Sequence, residues 1–109
     1  MIEKIILDYL SKNLSAPVSM EVQQGQTDFV VIEKTGSSAD NHIYSATIAV
    51  QSYGRTMYEA AELNEKVKAA MERLIELDSV SKCELNTDYN FTDTDKKQYR
   101  YQAVFDVVY

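Results

Sequence analysis

The sequence predicts an α+β fold: a single domain with a largely antiparallel sheet of about five strands, packed by an N-terminal helix and one long central helix. Three observations support this prediction. Apolar residues recur at helical spacing from Ile2 to Leu10 and again from Ala60 to Leu74. Five other segments show the alternation or the continuous apolar run of strands. A chain of 109 residues has room for one hydrophobic core, so residues 1–109 form one domain.

The first quarter of the chain predicts a helix and a strand. The opening helix ends near Asn13, because Pro17 forbids its continuation. Val18, Met20 and Val22 then alternate with polar residues as a short half-buried strand. A polar loop from Gln23 to Asp28 follows.

A long hairpin and the central helix come next. The run from Phe29 to Ile32 is apolar on both sides, as in an inner strand, and the third strand extends from His42 to Tyr53. Between them, the small and polar residues from Ser37 to Asn41 predict an exposed, mobile hairpin tip. Thr56 and Glu59 form a capping-box signature that starts a helix of about 20 residues.

Two more strands close the chain around a turn from Thr92 to Lys97. The predicted buried side of the first comprises Ser81, Cys83, Leu85, Tyr89 and Phe91. The predicted buried side of the last comprises Tyr99, Tyr101, Ala103, Phe105, Val107 and Tyr109. The second side of that last strand is only partly polar, because Val104 and Val108 alternate there with Arg100, Gln102 and Asp106. We therefore expect a partner, such as a neighbouring copy of the chain, to cover this side.

Composition excludes several classes of function. The formal net charge of −6 disfavours specific nucleic-acid binding, which depends on neutralising phosphates. The apolar run Ile5–Leu7 is too short for a membrane span or a signal-peptide core, so we expect no membrane association and a cytoplasmic location before any assembly. Cys83 is the single cysteine and has no partner for an internal disulfide.

No set of residues predicts catalysis, a metal or a cofactor. Cys83 and His42 are the single residues of their kinds, and a thiol on an apolar strand face is inert. The carboxylates Asp88, Asp93 and Asp95 lie near the last hairpin but lack the pattern of a calcium loop, so a solvated turn is favoured over a metal site. Eight tyrosines without tryptophan leave two uses open, core packing or an interface.

Three runs carry a family resemblance: FVVIEKTG at 29–36, IYSATIAVQSYGRTMYEAAELNEKV at 43–67 and TDTDKKQYRYQAVFDVVY at 92–109. Together they resemble the small tail-terminator or tail-completion proteins, which join head to tail in long-tailed phages and prophages. The resemblance implies an α+β virion structural protein that forms a homo-oligomeric ring, commonly a hexamer. Such a ring caps the tail-tube protein and meets the head connector or neck protein.

The resemblance implies contacts but no catalytic residues and no cofactor. It places the hairpin tip near the lumen or the tube, and the final strand near neighbouring subunits. The implied contact residues are Thr35, Gly36, Ser37, Ser38, Asp40, Asn41, Arg100, Val104 and Val108. Two alternatives stay open: a neck or connector adaptor, and a non-viral cytoplasmic ligand-binding domain with a pocket between helices and sheet.

Overall fold

The computed structural model describes residues 1–23, 25 and 27–109. In chain order the elements are α1 (Ile2–Asn13), β1 (Val18–Ser19), β2 (Phe29–Asp40), β3 (Ile43–Gly54), α2 (Met57–Glu72), a 3-10 turn (Leu74–Glu76), β4 (Lys82–Asn90) and β5 (Tyr99–Val108). The strands form one sheet in the order β1-β2-β3-β5-β4, in which only the β1 and β2 pair is parallel. The predicted α+β fold class is confirmed.

The core lies between both helices and one face of the sheet. Helix α1 buries Ile2, Ile6 and Leu10 there, and α2 buries the stripe from Ala60 to Met71 that the sequence predicts. On β5, Phe105 lies on the same side and is 2% exposed. The buried members of the sheet are Val30, Ile32, Ala46, Ile48, Val50, Ala103, Phe105 and Val107. Helical and strand periodicities therefore meet on one shared apolar surface.

Helix α2 begins at the predicted cap. Thr56 is extended, and its Oγ1 accepts a hydrogen bond from the backbone N–H of Glu59 at 3.1 Å. The carboxylate of Glu59 pairs with Arg55 at 3.2 Å. Just before this turn, a Cβ on Gly54 would lie 2.4 Å from the backbone nitrogen of Ala60, so only glycine fits where β3 meets the helix.

Removing the cap hydroxyl has a defined cost. We expect Thr56→Ala to lower the free energy of unfolding by about 1 kcal/mol, because the Glu59 amide loses its acceptor. Urea denaturation of both proteins measures the difference. Thr56→Ser keeps the hydroxyl and is the matched control; equal losses in the two variants would contradict a capping role.

The predicted loop at the hairpin tip is wrong. The residues from Thr35 to Asp40 belong to β2, which pairs with β3 along its whole length. The turn contains only Asn41 and His42, whose φ values of 50° and 66° suit a two-residue hairpin turn. The sequence shows no alternation of apolar and polar residues here, because a two-stranded ribbon exposed on both sides needs no apolar face. The predicted exposure of this segment is confirmed.

The buried side predicted for the strand after α2 is also wrong in part. Of the five predicted residues only Cys83 is half-buried, whereas Ser81, Leu85, Tyr89 and Phe91 are exposed. A bulge between Leu85 and Thr87 shifts the register of β4 against β5. Beyond the bulge the side chains change faces, so Tyr89 and Phe91 point away from the helices. The strand predicted over 18–22 is shorter than expected and leaves Met20 and Val22 exposed. Within the predicted polar loop after it, Gln24 and Gln26 lie outside the described residues.

Candidate functional site

One face of the sheet has no helix over it in the described part of the chain. Both helices pack on the opposite face, through the core described above. The ladders of β2, β3, β5 and β4 fix which side chains lie on the uncovered side. We call this surface the open sheet face. Its central members are Val31, Glu33, Thr47, Ala49, Gln51, Arg100, Gln102, Val104, Asp106 and Val108.

One end of the open sheet face is an aromatic ladder. The rings of Phe29 and Tyr53 stack with centroids 4.4 Å apart, and both side chains are buried. The guanidinium of Arg100 lies 5.7 Å from the ring centre of Tyr53 and 4.4 Å from that of Phe91. Tyr89 meets Phe91 edge to face at 5.8 Å. Four strands are thus bridged by side chains at this end.

Hydrogen bonds hold this ladder in register. Arg100 donates to the backbone oxygen of Phe91 at 2.7 Å and to the Tyr53 hydroxyl at 3.1 Å. Tyr53 in turn donates to Gln51 at 3.1 Å, and Gln51 donates to Gln102 at 2.9 Å. These bonds use the Nε and Nη1 donors of Arg100 inside the chain, so this side chain helps to fix the ladder.

The middle of the open sheet face is an apolar strip. Val104 on β5 lies opposite Ala49 on β3 and Thr87 on β4. Val31 and Ala49 are buried even without a helix above them, whereas Val104 and Val108 are half-buried. Val104 and Val108 are therefore the apolar side chains of β5 that a partner could still bury.

The other end of the open sheet face joins β5 to the hairpin. Gly36, Ser38, Asp106 and Val108 line a shallow groove of about 310 Å³. Ser38 and Ser45 share a hydrogen bond of 2.7 Å across it. The predicted contact residues Gly36, Ser37 and Ser38 line this groove together with Val108. Thr35 lies at the bulge just before this groove, and Asp40 and Asn41 lie beyond it toward the hairpin turn. Val104 lies in the middle strip, and Arg100 lies at the aromatic end.

Cys83 lines a groove between α2 and β4. This groove has a volume of about 570 Å³, with Met71, Leu85 and Phe105 also on its walls. Burial, with a smaller contribution from the charge of Asp106, raises the pKa of the Cys83 thiol to about 11. His42 lies in the turn between β2 and β3, whereas Cys83 lies on β4. The pair has no shared site.

The raised pKa predicts a slow thiol. A shift from 9.0 to about 11 lowers the thiolate fraction at neutral pH about 100-fold, so native Cys83 should react with iodoacetamide at least that much more slowly than in the unfolded chain. Alkylation followed by mass spectrometry, with and without urea, measures the ratio. Equal rates in the two states would contradict burial of this thiol.

Two of the three carboxylates near the last hairpin, those of Asp88 and Asp93, have partners inside the chain. Asp88 pairs with Lys68 on α2 at 2.5 Å, and Asp93 accepts the backbone N–H groups of Asp95 and Lys96 at 3.1 and 3.2 Å. Across residues 1–23, 25 and 27–109, no group of three His, Cys, Asp or Glu side chains is placed to hold a metal ion.

The aromatic ladder is a feature that the sequence analysis missed. Phe29 and Tyr53 stand at the ends of two strands that pair with each other, and their alternation places both opposite the core face. Alignment of the start of β2 with the end of β3 predicts that these two rings are neighbours. The register shift that adds Tyr89 and Phe91 has no comparable signal in the sequence.

Comparisons with family models and with curated proteins assign no family to this chain. No protein-family model matches the sequence, and no curated protein matches it significantly. As to location, no helix in the described residues is long and apolar enough to cross a membrane.

Proposed function

We propose that this chain is a tail-terminator protein of a long-tailed phage or prophage. In this proposal, copies of the chain form a ring, with six as the expected number, that caps the tail tube and joins it to the head connector. The protein waits in the host cytoplasm and then becomes part of the virion. The observation that carries the proposal is the open sheet face, a surface with half-buried valines that no helix of the described residues covers.

The open sheet face and the hairpin of β2 and β3 both suit contact with another protein. The apolar strip around Val104 and Val108 suits contact with a further copy or with the tube protein, because it is extended and fixed in register. The hairpin of β2 and β3 contributes to a long molecule, 44 Å by 25 Å by 21 Å, and its small exposed side chains allow close approach of another surface. The resemblance of residues 29–36, 43–67 and 92–109 to tail terminators supports the same function.

Binding to purified partners tests this function. The chain is mixed with tail-tube protein and, separately, with connector protein from the same genome, and each mixture is resolved by size-exclusion chromatography. A tail terminator binds the tube, whereas a neck or connector adaptor binds the connector alone. Binding to neither, together with absence from virions, would contradict both virion functions.

One observation favours a second candidate, a ligand-binding domain. The groove between α2 and β4 has an apolar floor of Met71 and Phe105 and a volume within the range of small-molecule sites. A thermal-shift screen tests it, because a ligand at 100 times its dissociation constant adds about 2.7 kcal/mol of stability. Loss of the shift in Leu85→Glu, at the rim of the groove, would assign the ligand to it.

A further inference from the structure

The sheet has two open edges on opposite sides. At one side β4 is the last strand, and seven of its nine side chains are exposed. At the other side β1 pairs only with Val30 and Val31 of β2, and all eight residues from Glu33 to Asp40 are exposed. Within the described residues, no strand pairs with the outer side of either segment. Exposed edge strands are templates for pairing with another chain.

The directions of these edges suit a head-to-tail contact. Each neighbour pair from β2 through β3 and β5 to β4 is antiparallel, so β4 runs opposite to β2. When β4 of one copy lies beside β2 of the next, the same face of the sheet stays on the same side and the antiparallel alternation continues. Such a contact joins different surfaces and can close into a ring.

The outward backbone groups of the two edges match in one register. The N–H of Val30 donates outward to Pro17 at 2.8 Å, so by alternation that of Lys34 also points outward. The N–H of Phe91 donates inward to Arg100 at 2.9 Å, so that of Asp88 points outward. Placing Asp88 opposite Lys34 therefore pairs two outward residues that both lie on the helix side of their sheets.

The bulges of the two strands lie next to each other in this same register. The β2 ladder shifts between Lys34 and Gly36, and the β4 ladder shifts between Leu85 and Thr87. With Asp88 opposite Lys34, Thr87 lies opposite Thr35 and Asn86 opposite Gly36, so the two strands change faces within one residue of each other. Beyond both bulges Leu85 lies opposite Ser37, again both on the helix side. A displacement by two residues would separate the bulges.

Charges select the same register. It places Lys82 opposite Asp40 and Asp88 opposite Lys34, and it puts no like charges directly opposite each other. Lys34 and Asp88 pair within the chain with Glu3 and Lys68, and both keep about a third of their side-chain surface exposed. By contrast, a twofold β4-to-β4 contact centred on Asn86 would set Glu84 against Asp88.

We propose that the outer edge of β4 in one copy pairs with the outer edge of β2 in the next copy, in the register Asp88 to Lys34. This inference rests on the proposed function insofar as a ring needs a head-to-tail contact, and it names the strands that make it. The open sheet faces of neighbouring copies then form one continuous surface that stays free for the tail tube.

Disulfide trapping tests the pairing. In a Cys83→Ala background, Ser37→Cys is combined with Leu85→Cys, since both native side chains are exposed. Residues opposite each other on antiparallel strands have Cα atoms about 4.5–5.5 Å apart, which a disulfide spans. Within one chain the two positions are on opposite edges, about three strand spacings of 4.8 Å apart, so no internal bond competes. The matched control moves one cysteine to the other face, as Ser38→Cys with Leu85→Cys.

After oxidation we expect a ladder of covalent trimers and larger species on a non-reducing gel. These bands should be at least 10-fold weaker in the control. Mass spectrometry should locate the bond between positions 37 and 85. Dimers linked only between two copies of position 85 would overturn the head-to-tail pairing. Oligomers by light scattering without the 37-to-85 bond would overturn it too, yet leave the ring function standing on another contact. A protein that is monomeric and forms no cross-link would overturn the pairing and weaken the proposed function at once.

Discussion

Replacing Phe105 with alanine is expected to lower the free energy of unfolding by about 3–5 kcal/mol. The ring is 2% exposed and lies beneath α2, opposite Ile48 on β3 and Leu85 on β4. Truncation leaves a cavity in the one core that both helices share. Since small domains have a total stability of about 5–15 kcal/mol, this change removes a large part of it. Urea denaturation followed by circular dichroism measures the loss.

The adjacent residue provides the control. Val104→Ala removes two methyl groups from the open sheet face, where the side chain is half-buried, and should cost about 1 kcal/mol or less. Similar losses at positions 104 and 105 would contradict the assignment of the two faces of β5.

Placing a charge on the open sheet face is expected to weaken assembly while the fold persists. In Val104→Asp the carboxylate points away from the helices, so circular dichroism and the urea midpoint should change little. If a partner covers the strip, the buried charge costs at least about 2 kcal/mol of binding, which is about a 30-fold weaker affinity. Light scattering measures self-association, and titration with the tube protein measures the second contact.

Ile75→Asp is the control for this charge. Ile75 is 54% exposed, lies in the 3-10 turn and is outside the open sheet face. Its substitution should leave both affinities unchanged. If Val104→Asp also leaves both unchanged, the open sheet face has no partner in the assembly. If it unfolds the protein, both faces of β5 are needed inside the chain.

The sequence predicts those elements that have one buried face and one exposed face. The stripes of α1 and α2, the cap at Thr56 and the alternation of β3 and β5 all appear in the structure, because burial on one face imposes the period. The hairpin from Thr35 to Asn41 lacks this constraint. Its strands are exposed on both sides, so their pairing depends on backbone hydrogen bonds that small polar residues do not reveal.

The candidate site was predictable only in part. The half-buried Val104 and Val108 follow from the mixed second face of β5, and they lie on the helix-free side of the sheet. The position of Arg100 between Tyr53 and Phe91 depends on a bulge in the neighbouring strand. A bulge shifts every later side chain to the other face, and no residue between Leu85 and Thr87 signals it.

Light scattering over a wide range of protein concentration measures whether this chain assembles by itself. A ring of six copies of 12.4 kDa predicts a species of about 75 kDa that persists on dilution. A mass of 12.4 kDa at every concentration would contradict a self-assembling ring.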